Sequence, residues 1–424
     1  MLADLQSLIE GLATRLGRGV AIDDPNFRLI VHTAHHGAVD RTRLESILRM
    51  RPPDDVLAHL GSMHYERMTQ DVTRLEAVDS LGMLARVLAP IRSGAHLFGF
   101  LSLIDADGSL TDRELDMVVE VARSAASIME RDSLMEDLRA GRQRELVRDV
   151  LSADPALRES AAEELEGVEG GLSGPVRALI VMIRPGELSP GKDLSMSVES
   201  ALDRAARRTL ARQCLYLSRG NHGLIVVPAR GLSDREVRRL AEAARREVSS
   251  ALHVGELRSA VGNPVERVVD LAHSYDQAQS ALRVAELVTT FGPHVAWSQL
   301  GVYRTLVHLP TDLAFTDFLP TELLELFDDS AGCELLRTVE VYLDEAADVR
   351  RTIGRLSIHR TSLYYRLRRF SEVTALDLGD GGQRLSIHLG LKLARLRGIS
   401  RYVLPGPRAD AGTAERDGAD STPV

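Results

Sequence analysis

The sequence predicts a multidomain chain, α/β through its first 300 residues and all-α at its C-terminal end. At 424 residues the chain is too long for one ordinary domain and has room for roughly two to four. Its first two-thirds alternate short apolar runs, bounded by Gly, Pro or Asx residues, with stretches of helical periodicity. From Leu335 to about Arg397 the apolar residues recur only at helical spacing.

Leu5 to Leu16 is apolar at helical spacing, and acids interrupt the segment, so it reads as an amphipathic helix rather than a signal peptide. GVAIDDP and FRLIVHTA read as two short strands around Asp23-Asp24-Pro25-Asn26, where Pro and Asx residues favour a reversal. Leu84–Ile91 and His96–Ile104 read as two more, turning at Ser93-Gly94. A long helix opens at Thr111, an N-cap with Glu114 as its capping-box partner three residues on. Leu115, Val118, Ala122, Ala125 and Met129 carry that helix toward Leu151. Its apolar seam suits either packing on its own domain or pairing with a second copy in a coiled coil.

A second unit runs from about Leu172 to Leu300. PVRALIVMI, a continuous apolar run, suits a buried strand. A helix (VESALDRAARRTLAR) follows, then strands CLYLS and LIVVP joined by Arg219-Gly220-Asn221-His222-Gly223. DREVRRLAEAARREVSSAL and DLAHSYDQAQSALRVAELV complete it as helices.

At the C-terminal end, ELLRTVEVYLDEAADV forms a helix with Leu335, Leu336, Val339 and Leu343 on one face. A short helix follows from Val349 to Leu356, with Ile353 and Leu356 inward and Asp348 as its cap. Ser357-Ile358-His359 makes a turn that Ile358 can plug. The next helix, from Arg360 or Thr361 to about Glu372, buries Leu363, Leu367 and Phe370. Thr361, Ser362, Tyr365, Arg366 and Arg369 are left as outward or groove-facing candidates. Arg366 also shares a face with Leu363 and Phe370, which suits a structural arginine equally. Tyr365 suits core packing as well as DNA contact. His388 is expected to pack on the helical core.

Val349 to Phe370 holds seven arginines and no acid, in a chain of net charge -9. The chain has only two lysines, Lys192 and Lys392, so arginine number alone says little. Position says more: elsewhere arginines alternate with acids, and here they do not. A basic helix–turn–helix pattern in an acidic protein points to a DNA backbone, with Arg350, Arg351, Arg360, Arg366 and Arg369 as the candidate cations.

Composition narrows the other classes. Cys214 and Cys333, far apart, support neither a disulfide framework nor a cysteine zinc site. No run approaches the roughly 18 apolar residues of a membrane span, so a cytoplasmic protein without membrane contact is expected. His32, His35 and His36 lack assignable further metal donors and read as surface-loop histidines. No catalytic triad, P-loop or dinucleotide fingerprint stands out, and neither a metal nor a cofactor is expected.

Three resemblances join these units. FRLIVHTA, GFLSLID and the Thr111-x-x-Glu114-Leu115 helix start resemble a GAF-type sensory domain, an α+β fold. The element order of the second unit resembles the degenerate GGDEF-like α/β domain of PucR/CdaR-type regulators. SIHRTSLYYRLRRFSEVTALDL, then QRLSIHLGLKLARL, looks like the C-terminal signature of that family. His359, Arg360, Leu363, Tyr365, Arg366, Leu367 and Arg369 match its pattern, as do Leu376, Asp377, Leu378, Arg384, Leu385, His388 and Leu393. Thr361 and Ser362 stand where the family usually has Asn and Thr, which puts the preferred DNA sequence in doubt. Ile353 replaces a usual alanine, and Asp348 a frequent Asn.

The resemblance implies a DNA-binding transcriptional regulator that self-associates as a homodimer or higher homo-oligomer. It implies domains at 1–131 (GAF-like, with a small-molecule effector), 172–300 (GGDEF-like) and 335–400 (helix–turn–helix, on double-stranded DNA). Between them fall a helical linker at 132–171, a candidate for dimerisation, and a connector at 301–334. The tail, 401–424, is too poor in apolar residues to order itself. The competing reading is a nucleotide-binding or nucleotide-processing protein centred on the GGDEF-like unit. Cyclase chemistry needs acids near the hairpin to hold metal, and RGNHG contains none.

Overall fold

The computed structural model describes residues 1–34, 38–62, 71–167, 171–183, 192–210, 214–310 and 319–399. His35, His36 and the tail from 401 lie outside the described residues. The chain divides into two compact units, 1–142 and 143–424.

In the first unit, α1 (Leu2–Leu16) leads into a hairpin of β1 (Val20–Asp23) and β2 (Leu29–His32). Helices α2 (Arg41–Arg49) and α3 (Asp54–Ser62) follow, then β3 (Thr73–Leu75), β4 (Arg86–Ser93) and β5 (His96–Ile104). The strands form one antiparallel sheet in the order β2-β1-β5-β4-β3. Alternation along β4 and β5 splits the core. Val87, Ala89, Ile91, Leu101 and Leu103 pack with Leu5, Ile9 and Leu12 of α1 and with Val118, Ala122 and Ala125 of the following helix. Leu88 and Phe100 point the other way, toward Val56 and Leu60 of α3, and the Phe27 ring stacks on Phe100 at 4.8 Å.

The long helix α4 (Asp112–Val150) starts with the expected capping box. Thr111 N–H donates to Glu114 Oε2 at 2.8 Å, and Glu114 N–H reaches Thr111 Oγ1 at 3.4 Å. The last turns of α4 belong to the second unit, where Leu146, Val147 and Val150 enter its core. Helix α5 (Pro155–Gly167) joins them through Ala161, Ala162 and Leu165. Residues 132–171, expected as a linker, are therefore in large part domain structure, because these apolar side chains bury against the sheet.

The sheet of the second unit runs β10-β9-β6-β8-β7. Its strands are β6 (Val176–Met182), β7 (Leu215–Arg219), β8 (His222–Pro228), β9 (Ser259–Val261) and β10 (His294–Ala296). All pairings are antiparallel except β9 with β10. Helices α6 (Lys192–Thr209) and α7 (Asp234–Leu252) cover one face, and α8 (Leu271–Leu287) covers the other with α4 and α5. Leu306 of α9 (Tyr303–Leu306) joins that second core, while Leu319, Leu323, Leu326 and Phe327 join the C-terminal bundle. The described parts of the expected connector, 301–334, are thus divided between two cores.

The bundle comprises α10 (Ser330–Asp344), α11 (Val349–Leu356), α12 (Arg360–Thr374) and α13 (Gly381–Leu396). It starts five residues before Leu335 because Asp329 caps α10, accepting from Gly332 N–H at 2.5 Å. A Cβ at Gly332 would lie 2.5 Å from the Leu326 carbonyl oxygen, so only glycine permits that approach. The fold is therefore multidomain α/β with two sheets and a helical C-terminal region. Among the described residues no helix is long and apolar enough to cross a membrane.

Candidate nucleic-acid interface

Helix α11 starts at Asp348, whose carboxylate accepts from Arg351 N–H at 2.8 Å, and ends at Ser357 with φ 56. The left-handed residue closes the helix and turns the chain. His359 then caps α12, its Nδ1 lying 2.9 Å from Thr361 Oγ1. Leu356 and Leu363 are buried, and Ile358 is half-buried against the bundle core, as the plug reading requires. Thr352 occupies the innermost position of α11, and Ile353, expected inward, is only half-buried. Helical geometry puts Thr352, one turn before Leu356, nearer the centre of the buried face, and its hydroxyl is satisfied by the Asp348 carbonyl at 2.6 Å.

Thr361, Ser362, Tyr365, Arg366 and Arg369 come together with Glu334 and Leu335 of α10 along one open groove of about 600 Å³. Tyr365 is 70% exposed, so it does not pack in the core. Arg350 and Arg351 lie on the first turn of α11, outside this groove. Sequence reasoning passed over Tyr364 and Arg368, both exposed on α12. Helical spacing carried a signal for Tyr364, one turn after Arg360: Arg360 donates to its hydroxyl at 3.2 Å and stacks 5.5 Å above its ring.

The arginine stretch lacks acids in sequence but not in space. Arg366, expected among the outward residues, turns its guanidinium to α10. It pairs with Glu334 at 2.5 Å and reaches Thr338 Oγ1 at 3.4 Å. Its place on the face of Leu363 and Phe370 brings it to α10 while it still lines the groove. Arg355 bridges Asp344 and Glu345 at 3.7 and 3.0 Å. Arg351 lies 3.8 Å from Glu345 and 3.7 Å from Asp348. Arg368 and Arg369 share Glu372 at 2.9 and 3.5 Å. These last pairs are solvent-exposed, so exchanging the carboxylate for a phosphate costs little.

Behind the groove, α10 and α13 are held by a buried charge cluster. Glu340 is fully buried and accepts from Lys392 Nζ at 3.0 Å and Arg395 Nη2 at 2.8 Å. Asp344 takes His388 Nε2 at 2.8 Å and Lys392 Nζ at 2.7 Å. Burial alone would raise the Glu340 carboxyl pKa, but the Arg395 and Lys392 contacts outweigh it and hold it below the usual range. His388 thus meets a carboxylate on the bundle.

The β7–β8 hairpin presents Arg219, Asn221 and His222 around Gly220, with no carboxylate. Among the described residues no cluster of His, Cys, Asp or Glu has a metal-holding arrangement.

Two domain families match the chain. The PucR C-terminal helix-turn-helix domain matches residues 335–393, and the GGDEF-like domain matches residues 154–284. The proline-responsive transcriptional activator PutR of Bacillus subtilis strain 168 is 20% identical over 404 residues, 93% of this chain and 97% of PutR. The DNA-binding transcriptional activator AdeR of the same organism is 21% identical over 400 residues, covering 92% and 93%. A solved regulator of polyketide synthase expression from Bifidobacterium adolescentis aligns at 18% identity and a TM-score of 0.29, over 61% of this chain and 99% of that one.

Proposed function

From a chain that is a DNA-binding transcriptional regulator of the PucR type, we propose that α12 is its recognition helix and works in the major groove of double-stranded DNA. Thr361, Ser362 and Tyr365 read base edges, being polar, adjacent and near the N-terminal end of α12. Arg350, Arg351, Arg360 and Arg369 take phosphates. Arg366, tied to Glu334, orients α12 against α10. The observation that carries this reading is the exposed polar groove on the second helix of a helix–turn–helix pair.

The first unit acts as the GAF-like sensory domain, its five-stranded sheet covered by helices on both faces. PutR is named for its response to proline, and a small metabolite is the matching class of effector here. Both relatives are transcriptional activators, so activation is the proposed direction. The protein works in the cytoplasm as a homodimer or higher homo-oligomer, with α4 as the candidate pairing element.

Selection of DNA fragments on the purified full chain tests the reading. A reproducible enriched motif is expected, together with loss of binding when the motif is scrambled. Equal affinity for enriched and scrambled fragments would overturn it.

A further inference from the structure

Apart from the DNA-facing groove, the second unit contains a cavity of about 590 Å³ between the ends of β6 and β8 and the exposed side of α8. Small-molecule sites span roughly 300–1,000 Å³. Ile180, Met182 and Leu282 form an apolar floor.

One wall is set by a chain of hydrogen bonds whose direction can be assigned. Burial, aided by the Arg219 charge, pushes the His222 pKa down to about 4, so the ring is neutral near pH 7. Its Nδ1 lies 2.9 Å from Asn221 Oδ1, which can only accept, so Nδ1 carries the proton. Nε2 therefore accepts from the Tyr275 hydroxyl at 2.7 Å. The Tyr275 oxygen accepts in turn from Gln279 Nε2 at 3.0 Å and Arg219 Nη1 at 3.3 Å. This arrangement leaves the Asn221 amide N–H groups and the Gln279 carbonyl oxygen without other partners among the described residues.

The rim carries opposite charges. Arg283 and Glu286 sit one turn apart on α8, both exposed and both lining the cavity. Arg283 donates to Ser280 Oγ at 3.1 Å, and neither residue forms an ion pair among the described residues. A cation and an anion three positions apart usually meet on a helix surface. Here, among the described residues, both are unpaired beside an apolar floor and two partly unused amides.

We propose that this cavity binds a small zwitterion with an apolar body, an α-amino acid or a short peptide. Its carboxylate pairs with Arg283, its ammonium with Glu286, and its side chain lies on Ile180, Met182 and Leu282. Asn221 and Gln279 meet the remaining polar atoms. A nucleotide suits the site less well, because among the described residues one arginine and one glutamate line it and their net charge offered to phosphates is nil. The site is independent of any effector site in the first unit. Helix α8 also shares its buried core with Leu396 of α13, which gives an occupied site a packed route to the DNA-binding bundle.

Titration calorimetry on the full chain tests the proposal, with L-leucine, L-methionine and leucyl-leucine as zwitterions. Isopentylamine and 4-methylpentanoate serve as single-charge analogues of leucine. At least one zwitterion is expected to bind one-to-one, and the two single-charge compounds at least tenfold more weakly than it. Arg283→Gln and Glu286→Gln should each weaken it at least tenfold while leaving the ligand-free unfolding midpoint unchanged, since both side chains are exposed. Absence of binding by all three zwitterions would overturn the proposal. So would binding that survives both substitutions, which would place the ligand elsewhere in the chain.

Discussion

Replacing Glu340 with alanine should destabilise the C-terminal bundle severely. The Glu340 carboxylate is 0% exposed and accepts three charge-assisted hydrogen bonds, from Lys392 Nζ at 3.0 Å and from Arg395 Nε and Nη2 at 3.2 and 2.8 Å. Removing it takes the carboxylate away from two nearly buried cations, and among the described residues Asp344 still answers Lys392 at 2.7 Å. Breaking a buried pair from one side costs about 3–5 kcal/mol, whereas replacing all partners by apolar groups is often neutral or stabilising. Thus Glu340→Ala should lower stability by about 3–5 kcal/mol in urea unfolding followed by circular dichroism. The triple variant Glu340→Leu, Lys392→Met, Arg395→Met should recover most of that loss. The cluster also sets a pH dependence. The folded-state pKa of Glu340 is depressed, so its contribution is present above the unfolded carboxyl value and is lost as pH falls through the folded one. A loss below about 1 kcal/mol in the single variant would contradict this and show that the cations are solvated without their acid.

Three further outcomes follow from particular residues. Burial holds His222 and His294 neutral down to about pH 4, helped by Arg219 for the first and by Arg238 and Arg245 for the second. An unfolded histidine binds its proton near pH 6.5, so stability should be full above that value and fall by up to about 3 kcal/mol per histidine toward pH 4. Unfolding midpoints at pH 7 and pH 5 check this, and equal midpoints would contradict it. At the α10–α11 turn Ala346 and Ala347 have φ 54 and 64, so Ala347→Gly should raise stability by about 0.5–1 kcal/mol in the same assay. Gly332→Ala should instead cost several kcal/mol or block folding, because its Cβ would meet backbone atoms of Leu326 at 2.5 and 2.7 Å; a midpoint like that of the parent chain would refute the close-packing argument.

Much of this structure was legible in the residues, for local reasons. Helix α11 has the bounds expected from Asp348 and the Ser357 turn, and the Thr111–Glu114 box opens α4 as its spacing indicates. Caps and turns are encoded within a few residues and so can be read. What escaped depends on tertiary context. Helix α2 buries Thr42, Arg43 and Ser46 while Leu48 is 83% exposed, an inversion of the usual apolar pattern. The reason lies across the sheet, where Arg43 donates to the Ser102 carbonyl and Ser102 Oγ to the buried Asp23. Strands β9 and β10 are three residues each, too short for periodicity to declare them. At the candidate interface the groove-lining side chains follow from helical phase, but the acids that answer Arg355 and Arg366 come from α10 and its C-terminal turn. A run of arginines free of acids in sequence is therefore partly neutralised in three dimensions, and the cations left for DNA are fewer than seven.

Among the described residues Arg360 bonds Tyr364 alone, and Arg369 shares Glu372 at an exposed position, so neither holds the bundle together. The direct measurement is the salt dependence of DNA binding by the parent chain and the Arg360→Ala, Arg369→Ala double variant, on the fragment that selection yields. Each phosphate contact contributes about 0.9 to the slope of log affinity against log salt. The double variant should bind at least tenfold more weakly, with a slope shallower by about 2 and an unchanged unfolding midpoint. An unchanged affinity and slope would contradict the assignment of α12 as the DNA-reading helix.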